Sequence, residues 1–257
     1  MPDRDSLQFA ILGPLEVTAA GRQIVLRGPQ RRRLITVLLL EAGQVVPAHR
    51  LLDALWGQTP PDGAMATLRT HVSELRRQLE DGPELRVLLR KGSGYLLDIR
   101  PEQIDAERAR RLLAQGRRAV DDGDAVSAIA PLQEAQSLWR GPALADVADH
   151  PFAHAYLEAL NELQLDVFKT RIAADLSLGR HREVIGDLRL RVARHPQDDG
   201  LCRQLVLALY RDGRIDDAAR ACRDGLAARH ELGLDSPLLR ELQEDVLRGV
   251  PGLDWAP

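Results

Sequence analysis

The feature that most restricts which folds this 257-residue chain can adopt is a glycine turn that recurs in its second half. Leu178-Gly179-Arg180 returns as Asp212-Gly213-Arg214, which places the two glycines 34 residues apart. Small or apolar residues recur five and nine positions after Gly123, Gly179 and Gly213. They are Ala128, Val184 and Ala218, and then Leu132, Leu188 and Cys222. A 34-residue period with such close-packing positions is typical of stacked helix-turn-helix repeats.

The period predicts that residues 104–257 form an all-α, tetratricopeptide-like helical repeat domain. Pro196 stands where such a repeat normally ends, whereas Gly123 lies 56 residues before Gly179 and requires an insertion around His150 to Phe152. A helical bundle without true repeats is the alternative. The aromatic content of 4% also favours Ala- and Leu-rich helices over β-sandwiches.

The first hundred residues show a different, mixed pattern. Two β-type runs lie at Phe9 to Val17, interrupted by Gly13-Pro14, and at Gln23 to Leu26. Helical patterns then run from Pro29 to a stop at Gly43 and from Pro47 to a cap at Gly57. A small N-terminal sheet followed by two helices is predicted.

A third helix is predicted from about Ala64 to Glu80, after a loop at residues 58–63 that two prolines and a glycine keep non-helical. At about 100° per residue, four apolar side chains fall on one side of this helix. They are Leu68, Val72, Leu75 and Leu79. The opposite face carries Thr70, Ser73 and Arg77, with Arg69 and Arg76 on a flank. Such a face fits the major groove of DNA, where arginine can bond two acceptors of guanine.

A β-hairpin with a basic, glycine-rich tip is predicted after the break at Asp81-Gly82-Pro83. It runs from Leu85 to Ile99, and Arg90 and Lys91 at its tip can reach DNA phosphate or the minor groove. Sheet, two helices, loop, amphipathic helix and basic hairpin follow one another in the order of a winged helix-turn-helix. We therefore predict an α+β winged-helix DNA-binding domain over residues 1–100 of a mainly α protein.

The charge distribution agrees with this division of the chain. The net charge is −3, yet residues 1–100 carry 14 Lys and Arg against 11 Asp and Glu, and the remainder carries 21 against 27. Five arginines and no acid lie between Arg22 and Arg33. Local positive density attracts phosphate even in an acidic protein. A solvated helix start explains any single one of these arginines equally well.

Motifs spread over nearly the whole chain resemble the two domains of one family. Leu51–Gly57, Pro60-Pro61, Ala66–Leu79 and Gly92–Leu97 are similar to the OmpR-type DNA-binding domain of the SARP family (Streptomyces antibiotic regulatory proteins). Ser137–Asp146, Asp175–His181 and Leu205–Arg214 resemble that family's bacterial transcriptional activation domain. No Walker A motif is present, so the chain resembles the short form that lacks an ATPase region.

The resemblance implies a transcriptional activator of a biosynthetic gene cluster, usually one for an antibiotic or another secondary metabolite. It implies binding to direct repeats in double-stranded DNA near the promoter −35 element, recruitment of RNA polymerase with its sigma factor, and a homodimer at least on DNA. It places Arg69, Thr70, Ser73, Arg76 and Arg77 in the major groove, Arg90 and Lys91 on the DNA backbone, and Thr59, Pro60, Pro61 and Asp62 against polymerase. Two positions depart from the family pattern: Cys222 replaces a common aromatic residue, and Arg31-Arg32-Arg33 would add phosphate contacts.

Other functional classes find little support in the residues. No nucleophile elbow and no known Cys/His spacing is present, so neither an enzyme nor a bound cofactor is expected. His150 and His154, near Asp146 and Asp149, could share a metal ion. Pro151 between the two histidines favours a helix start instead, and no metal site is expected.

The chain start and the apolar runs bear on where the protein acts. The start lacks the basic and long apolar regions of a signal peptide, and the run Val37 to Leu40 is too short to cross a bilayer. We expect a cytoplasmic protein without membrane contact, in which Cys202 and Cys222 are buried apolar filler.

A protein-interaction scaffold and a repressor with the same fold remain alternatives. Salt-sensitive promoter binding would separate the scaffold from a DNA-binding regulator.

Overall fold

The computed structural model describes residues 6–79 and 86–253. The predicted end of the third helix at Glu80, the break at Asp81-Gly82-Pro83 and the start of the hairpin at Leu85 lie outside the described residues. The described chain is mainly α, with two three-stranded antiparallel sheets in its N-terminal part. The predicted fold class is confirmed.

The elements follow the predicted order. The first sheet contains β1 (Leu7–Ala10), β2 (Glu16–Ala19) and β3 (Arg22–Gln23), and the second contains β4 (Val45–Pro47), β5 (Leu88–Lys91) and β6 (Gly94–Leu97). The N-terminal helices are α1 (Pro29–Leu40), α2 (Ala48–Trp56) and α3 (Ala64–Leu79). The remaining helices are α4 (Asp105–Asp121), α5 (Ala125–Ser137), α6 (His154–Ser177), α7 (His181–Arg194), α8 (Asp199–Arg211), α9 (Ile215–Glu231) and α10 (Pro237–Arg248). Within residues 6–79 and 86–253, no helix combines the length and apolar character needed to span a membrane.

The first β-type run is a hairpin in itself. Phe9 of β1 pairs with Val17 of β2, because Pro14 lacks an N–H and cannot continue a ladder through the middle of the run. Ala20 and Gly21, with φ of 49° and 76°, form the next two-residue turn, and positive φ at both positions matches the right-handed twist of a hairpin. The run predicted at Gln23 to Leu26 is wrong for most of its length, since β3 ends at Gln23.

α2 lies where it was predicted, and α3 buries its predicted apolar side. α2 begins after Pro47 and ends at Gly57, whose φ of 65° is the left-handed cap expected of glycine. The apolar side of α3 is at most 2% exposed at each of its four predicted positions. They are Leu68, Val72, Leu75 and Leu79. The burial fixes which face of α3 is turned outward.

The β5–β6 hairpin is the wing of the winged helix, and a third strand that sequence patterns did not predict completes its sheet. β4 joins the hairpin through Val46, which pairs with Tyr95 of β6, and the sheet order is β4-β6-β5. Gly94 has no room for a side chain, because a Cβ there would collide with the carbonyl oxygen of Val46. A three-residue strand leaves too short a pattern to recognise in a sequence.

The helical half shows the predicted repeat. Gly123, Gly179 and Gly213 each adopt a left-handed φ of 76–78°, and Gly233 forms a fourth such turn at 70°. The residues five and nine positions after the first three turns are all buried. Cys202 is also buried, and burial raises the pKa of its thiol and of the Cys222 thiol to about 11, as expected of apolar filler.

The chain divides into two compact units, one of residues Met1–Leu112 and Glu134–Leu165, the other of residues Leu113–Gln133 and Asp166–Pro257. The first unit therefore includes a segment that the sequence patterns assigned to the helical domain 104–257. That segment contains the insertion expected around His150 to Phe152. Whether residues 1–100 and 104–257 fold independently stays a prediction.

Long-range hydrogen bonds join this segment to the β1–β2 connection within the first unit. The N–H of Arg140 donates to the carbonyl oxygen of Leu12 at 2.8 Å, and the N–H of Leu144 donates to that of Ile11 at 2.9 Å. The buried carboxylate of Asp105 accepts from the N–H groups of Ile11 and Leu12 at 2.9 and 3.0 Å. Burial raises the pKa of this carboxyl even though the two bonds oppose the shift. No local sequence pattern indicates these contacts.

Candidate nucleic-acid interface

The outer face of α3 carries an exposed polar and cationic surface. Arg69, Thr70, Ser73 and Arg77 are all exposed there, opposite the buried apolar side. The hydroxyl of Thr70 donates to the carbonyl oxygen of Ala66 at 3.1 Å, which leaves its oxygen able to accept a bond. The side chains of Arg69 and Ser73 bond to no other residue of 6–79 or 86–253. The structure thus brings four of the five predicted α3 residues together on one accessible face.

Arg76 is placed differently from the other α3 residues. It is half-buried, and its Nε donates to the carbonyl oxygen of Leu88 in β5 at 2.8 Å. The bond connects the end of α3 to the wing. Arg76 therefore positions the wing against α3 through its Nε.

Arg77 belongs to a small ionic network that joins α3 to α1. The carboxylate of Glu74 pairs with both Arg77 and Arg31 of α1, the latter at 3.3 Å. The Arg77 side chain is 73% exposed and that of Glu74 27% exposed. Because Glu74 contacts the guanidinium from one side only, it orients Arg77 while leaving most of it accessible.

A cationic groove lies between α3 and the wing. It has a volume of about 500 Å³ and is lined by four cations, Arg76, Arg86, Arg90 and Lys91, together with Leu88 and Leu89. Among the described residues, no carboxylate lines this groove or pairs with Arg86, Arg90 or Lys91. An uncompensated cluster of cations binds anions such as DNA phosphates.

Arg86 is a groove residue that the sequence analysis missed. It precedes β5 and is exposed. The sequence pattern singled out the cations at the tip of the hairpin, whereas Arg86 lies near its base. Its positive charge within the predicted hairpin, four residues before Arg90, was the available signal.

The dense arginines at the start of α1 have partners inside the protein. Arg31 pairs with Glu74, Arg32 with Asp146 at 2.7 Å, and Arg33 donates to the carbonyl oxygen of Leu55 at 2.7 Å. These contacts oppose the interpretation that the three arginines add phosphate contacts.

The chain matches two family models that together account for both halves. Residues 21–97 match the model described as transcriptional regulatory protein, C terminal, and residues 104–247 match the bacterial transcriptional activator domain. The chain is 36% identical to regulatory protein DnrI of Streptomyces peucetius over 96% of this chain and 94% of that protein. The chain belongs to the SARP family of transcriptional activators.

Other relatives of this SARP chain are longer. It is 36% identical to regulatory protein AfsR of Streptomyces coelicolor over 96% of its own length, but spans only 25% of AfsR. It is 32% identical to transcriptional regulator RedD of the same organism, over 96% of this chain and 72% of RedD. A solved structure of Mycobacterium tuberculosis EmbR, in complex with a low affinity phosphopeptide, superposes with a TM-score of 0.91 at 33% identity. That match covers 96% of this chain and 66% of EmbR.

The loop between α2 and α3 is exposed throughout in this SARP chain. Thr59, Pro60, Pro61 and Asp62 are all exposed, and Gly57 and Gly63 at the two ends have φ of 65° and 76°. Two prolines restrict the backbone between these ends. The loop is thus presented as a stiff surface feature of the winged helix.

Two of the four residues considered as metal ligands, Asp146 and His150, have other partners. Asp146 pairs with Arg32, and the ring of His150 stacks on Phe152 with 6.0 Å between centroids. Within the described ranges, no three His, Cys, Asp or Glu side chains are grouped as metal ligands. The family and its relatives are transcriptional regulators.

Proposed function

We propose that this chain activates a biosynthetic gene cluster, one for an antibiotic or another secondary metabolite, by binding direct repeats near the promoter −35 element and recruiting RNA polymerase. The observation that carries the proposal is the exposed Arg/Ser/Thr face of α3 beside a groove in which four cations and no acid are found among the described residues. The names of the relatives, regulatory protein DnrI and transcriptional regulator RedD, support the regulatory part.

The α3 face and the groove divide the work of DNA binding. α3 enters the major groove, where Arg77 and Arg69 reach guanine acceptors and Thr70 and Ser73 reach bases or phosphates. Arg86, Arg90 and Lys91 bind phosphates, because the groove attracts anions without specifying a base. Arg76 acts through its bond to Leu88 and keeps the wing at a fixed distance from α3.

Direct repeats require two copies of the winged helix on one stretch of DNA. The protein therefore binds as a homodimer at least on DNA, with each α3 in its own major-groove segment. The α2–α3 loop at Thr59 to Asp62 then meets polymerase and its sigma factor. Its exposure and its two prolines support this role, since a stiff loop loses little entropy when it docks. DNA binding and contact with polymerase place the protein in the cytoplasm.

A nuclease footprint upstream of neighbouring biosynthetic operons tests the DNA part. We expect two protected segments in direct orientation, and affinity that falls steeply as salt rises. Protection that does not depend on the repeats, or no protection at all, would support a protein-interaction scaffold instead. Transcription with purified polymerase from the protected promoter then separates an activator, which raises transcript yield, from a repressor, which lowers it.

Replacing Thr59–Asp62 with a glycine/serine loop of equal length tests the polymerase contact. We expect DNA affinity to stay within about twofold of wild type while activation is lost, because the loop lies outside the DNA-binding face. The matched control replaces the exposed turn Gly233-Leu234-Asp235 with a glycine/serine turn of equal length. Retained activation by the Thr59–Asp62 variant would move the polymerase contact elsewhere.

A further inference from the structure

A cavity of about 760 Å³ lies inside the first compact unit, between the helices of the winged helix and residues 150–156. α1 and α2 form one side of it, and the 3-10 turn at Pro151–Ala153 with the start of α6 forms the other. Its volume falls in the range of roughly 300–1,000 Å³ that is usual for small-molecule sites. The DNA-binding face uses none of its lining residues.

The cavity has an aromatic lining. Trp56 at the end of α2 faces it, as do Phe152 and Tyr156. The ring of His150, stacked on Phe152, adds a fourth planar group. Burial, assisted by the positive charge of Arg33, lowers the pKa of His150, although the nearby Asp149 opposes the shift. Flat, polarisable walls of this kind favour a planar aromatic ligand.

The charges around the cavity leave one cation without a counter-charge. Glu41 is compensated by Arg50 at 2.9 Å and accepts a bond from the Tyr156 hydroxyl at 2.7 Å. Arg33 donates through Nη1 to the carbonyl oxygen of Leu55, which is uncharged. In the part of the chain that the structure describes, Arg33 forms no ion pair, and its buried Nε has no acceptor.

An uncompensated, half-buried arginine is costly unless an acceptor reaches it. Burial lowers the pKa of Arg33, which reports the cost of holding the charge there. Asp53, the other acid that lines the cavity, is exposed and forms no ion pair with Arg33. A carboxylate bound in the cavity would satisfy the guanidinium through charge-assisted hydrogen bonds.

We propose that this cavity binds a planar aromatic carboxylate, with Arg33 as the partner of the carboxylate and Trp56 and Phe152 as contacts of the ring. This site goes beyond the proposed function, because it uses neither DNA nor polymerase. It would make the first compact unit responsive to a small molecule.

Titration of the full chain with 1-naphthoate tests the site. Binding is followed by the indole N–H signal of Trp56 in a ¹⁵N-labelled sample, assigned with Trp56→Phe. We expect one saturable site, a shift of the Trp56 signal and no shift of the signals from the two other tryptophans. The neutral isostere 1-naphthamide should bind at least tenfold more weakly, because it cannot form a charge-assisted pair with arginine.

Two arginines of α1 provide a matched pair of variants. Arg33→Met should weaken naphthoate binding at least tenfold, whereas Arg31→Met, which removes an arginine paired with Glu74 outside the cavity, should stay within twofold. If Arg33→Met disturbs the folded spectrum, Phe152→Leu replaces it and should weaken binding at least threefold. Equal binding of naphthoate and naphthamide, non-saturable shifts, or insensitivity to both cavity variants would overturn the proposal.

Discussion

The cations of the wing groove and the arginines of the helical repeats differ in whether an acid accompanies them. In the first unit, Arg86, Arg90 and Lys91 of the wing groove have no acid partner among the described residues. In the second unit, Arg171 pairs with Asp175 at 2.9 Å, and Arg182 pairs with Asp212 at 3.0 Å. A cation that an acid accompanies is thus held in an ion pair, whereas a cation without one remains available to an anion.

The two units also differ in how they are held together. The second unit is built largely from consecutive helices with a glycine turn between them, so its contacts are local in sequence. The first unit depends on Asp105 and Arg140, which bond to the β1–β2 connection about a hundred residues earlier in the chain. Local contacts survive truncation better than distant ones.

Truncation to residues 104–257 should cause the largest change, which is a loss of hydrogen-exchange protection in part of the fragment. The sequence pattern predicts an independently folded domain, but the fragment lacks the partners of Asp105, Arg140 and Leu144. We expect hydrogen exchange to show α7–α9 protected as in the full chain and residues 134–153 unprotected. Full protection of residues 134–153 in the fragment would show that the distant contacts are dispensable and would confirm the boundary predicted from the sequence.

The next largest effect should come from Arg77→Ala. Loss of a bidentate guanine contact costs about 1–3 kcal/mol on the specific operator, or roughly 5- to 150-fold in affinity, and relaxes preference at one base pair. Binding to a scrambled duplex should change little. Fluorescence anisotropy on both duplexes measures the difference. An equal loss on both would mean that Glu74 holds Arg77 for phosphate contact, and Arg69 would then be the base-reading residue to test.

Lys91→Ala should have a smaller and uniform effect. Removing one phosphate contact weakens binding to operator and scrambled duplex alike and lowers the slope of log affinity against log salt by about one. A salt series on both duplexes measures the slope. An unchanged slope would remove Lys91 from the phosphate-binding groove, and a change confined to the operator would make it a base reader.

Arg182→Ala should have the smallest effect and serves as the control for both DNA variants. Its side chain is 84% exposed, and an exposed ion pair contributes little after solvent screening. We expect the free energy of unfolding to change by less than about 0.5 kcal/mol and DNA affinity to stay the same. Urea unfolding and the same anisotropy assay measure both quantities. A clear loss of DNA affinity would show that paired arginines of the repeats also contribute to binding.

Predictions from the sequence succeeded where a pattern is local and periodic. The outward face of α3 followed from four apolar residues at helical spacing, and all four are buried. Burial at the repeat positions followed in the same way from the turn glycines. The β-type run at Gln23 to Leu26 failed for most of its length, because β3 ends at Gln23.

What the sequence determined by itself is therefore the order of elements, their buried faces, the candidate DNA-binding residues and the family. The tertiary structure decided which cations have partners: it joined Arg76 to Leu88, Arg32 to Asp146 and Glu74 to both Arg31 and Arg77. It also closed the wing with β4 and formed the cavity around Arg33. The physical reason is range, since helical and strand periodicity extends over a few residues, whereas a hydrogen bond or an ion pair depends on which distant segments the fold brings within about 3 Å.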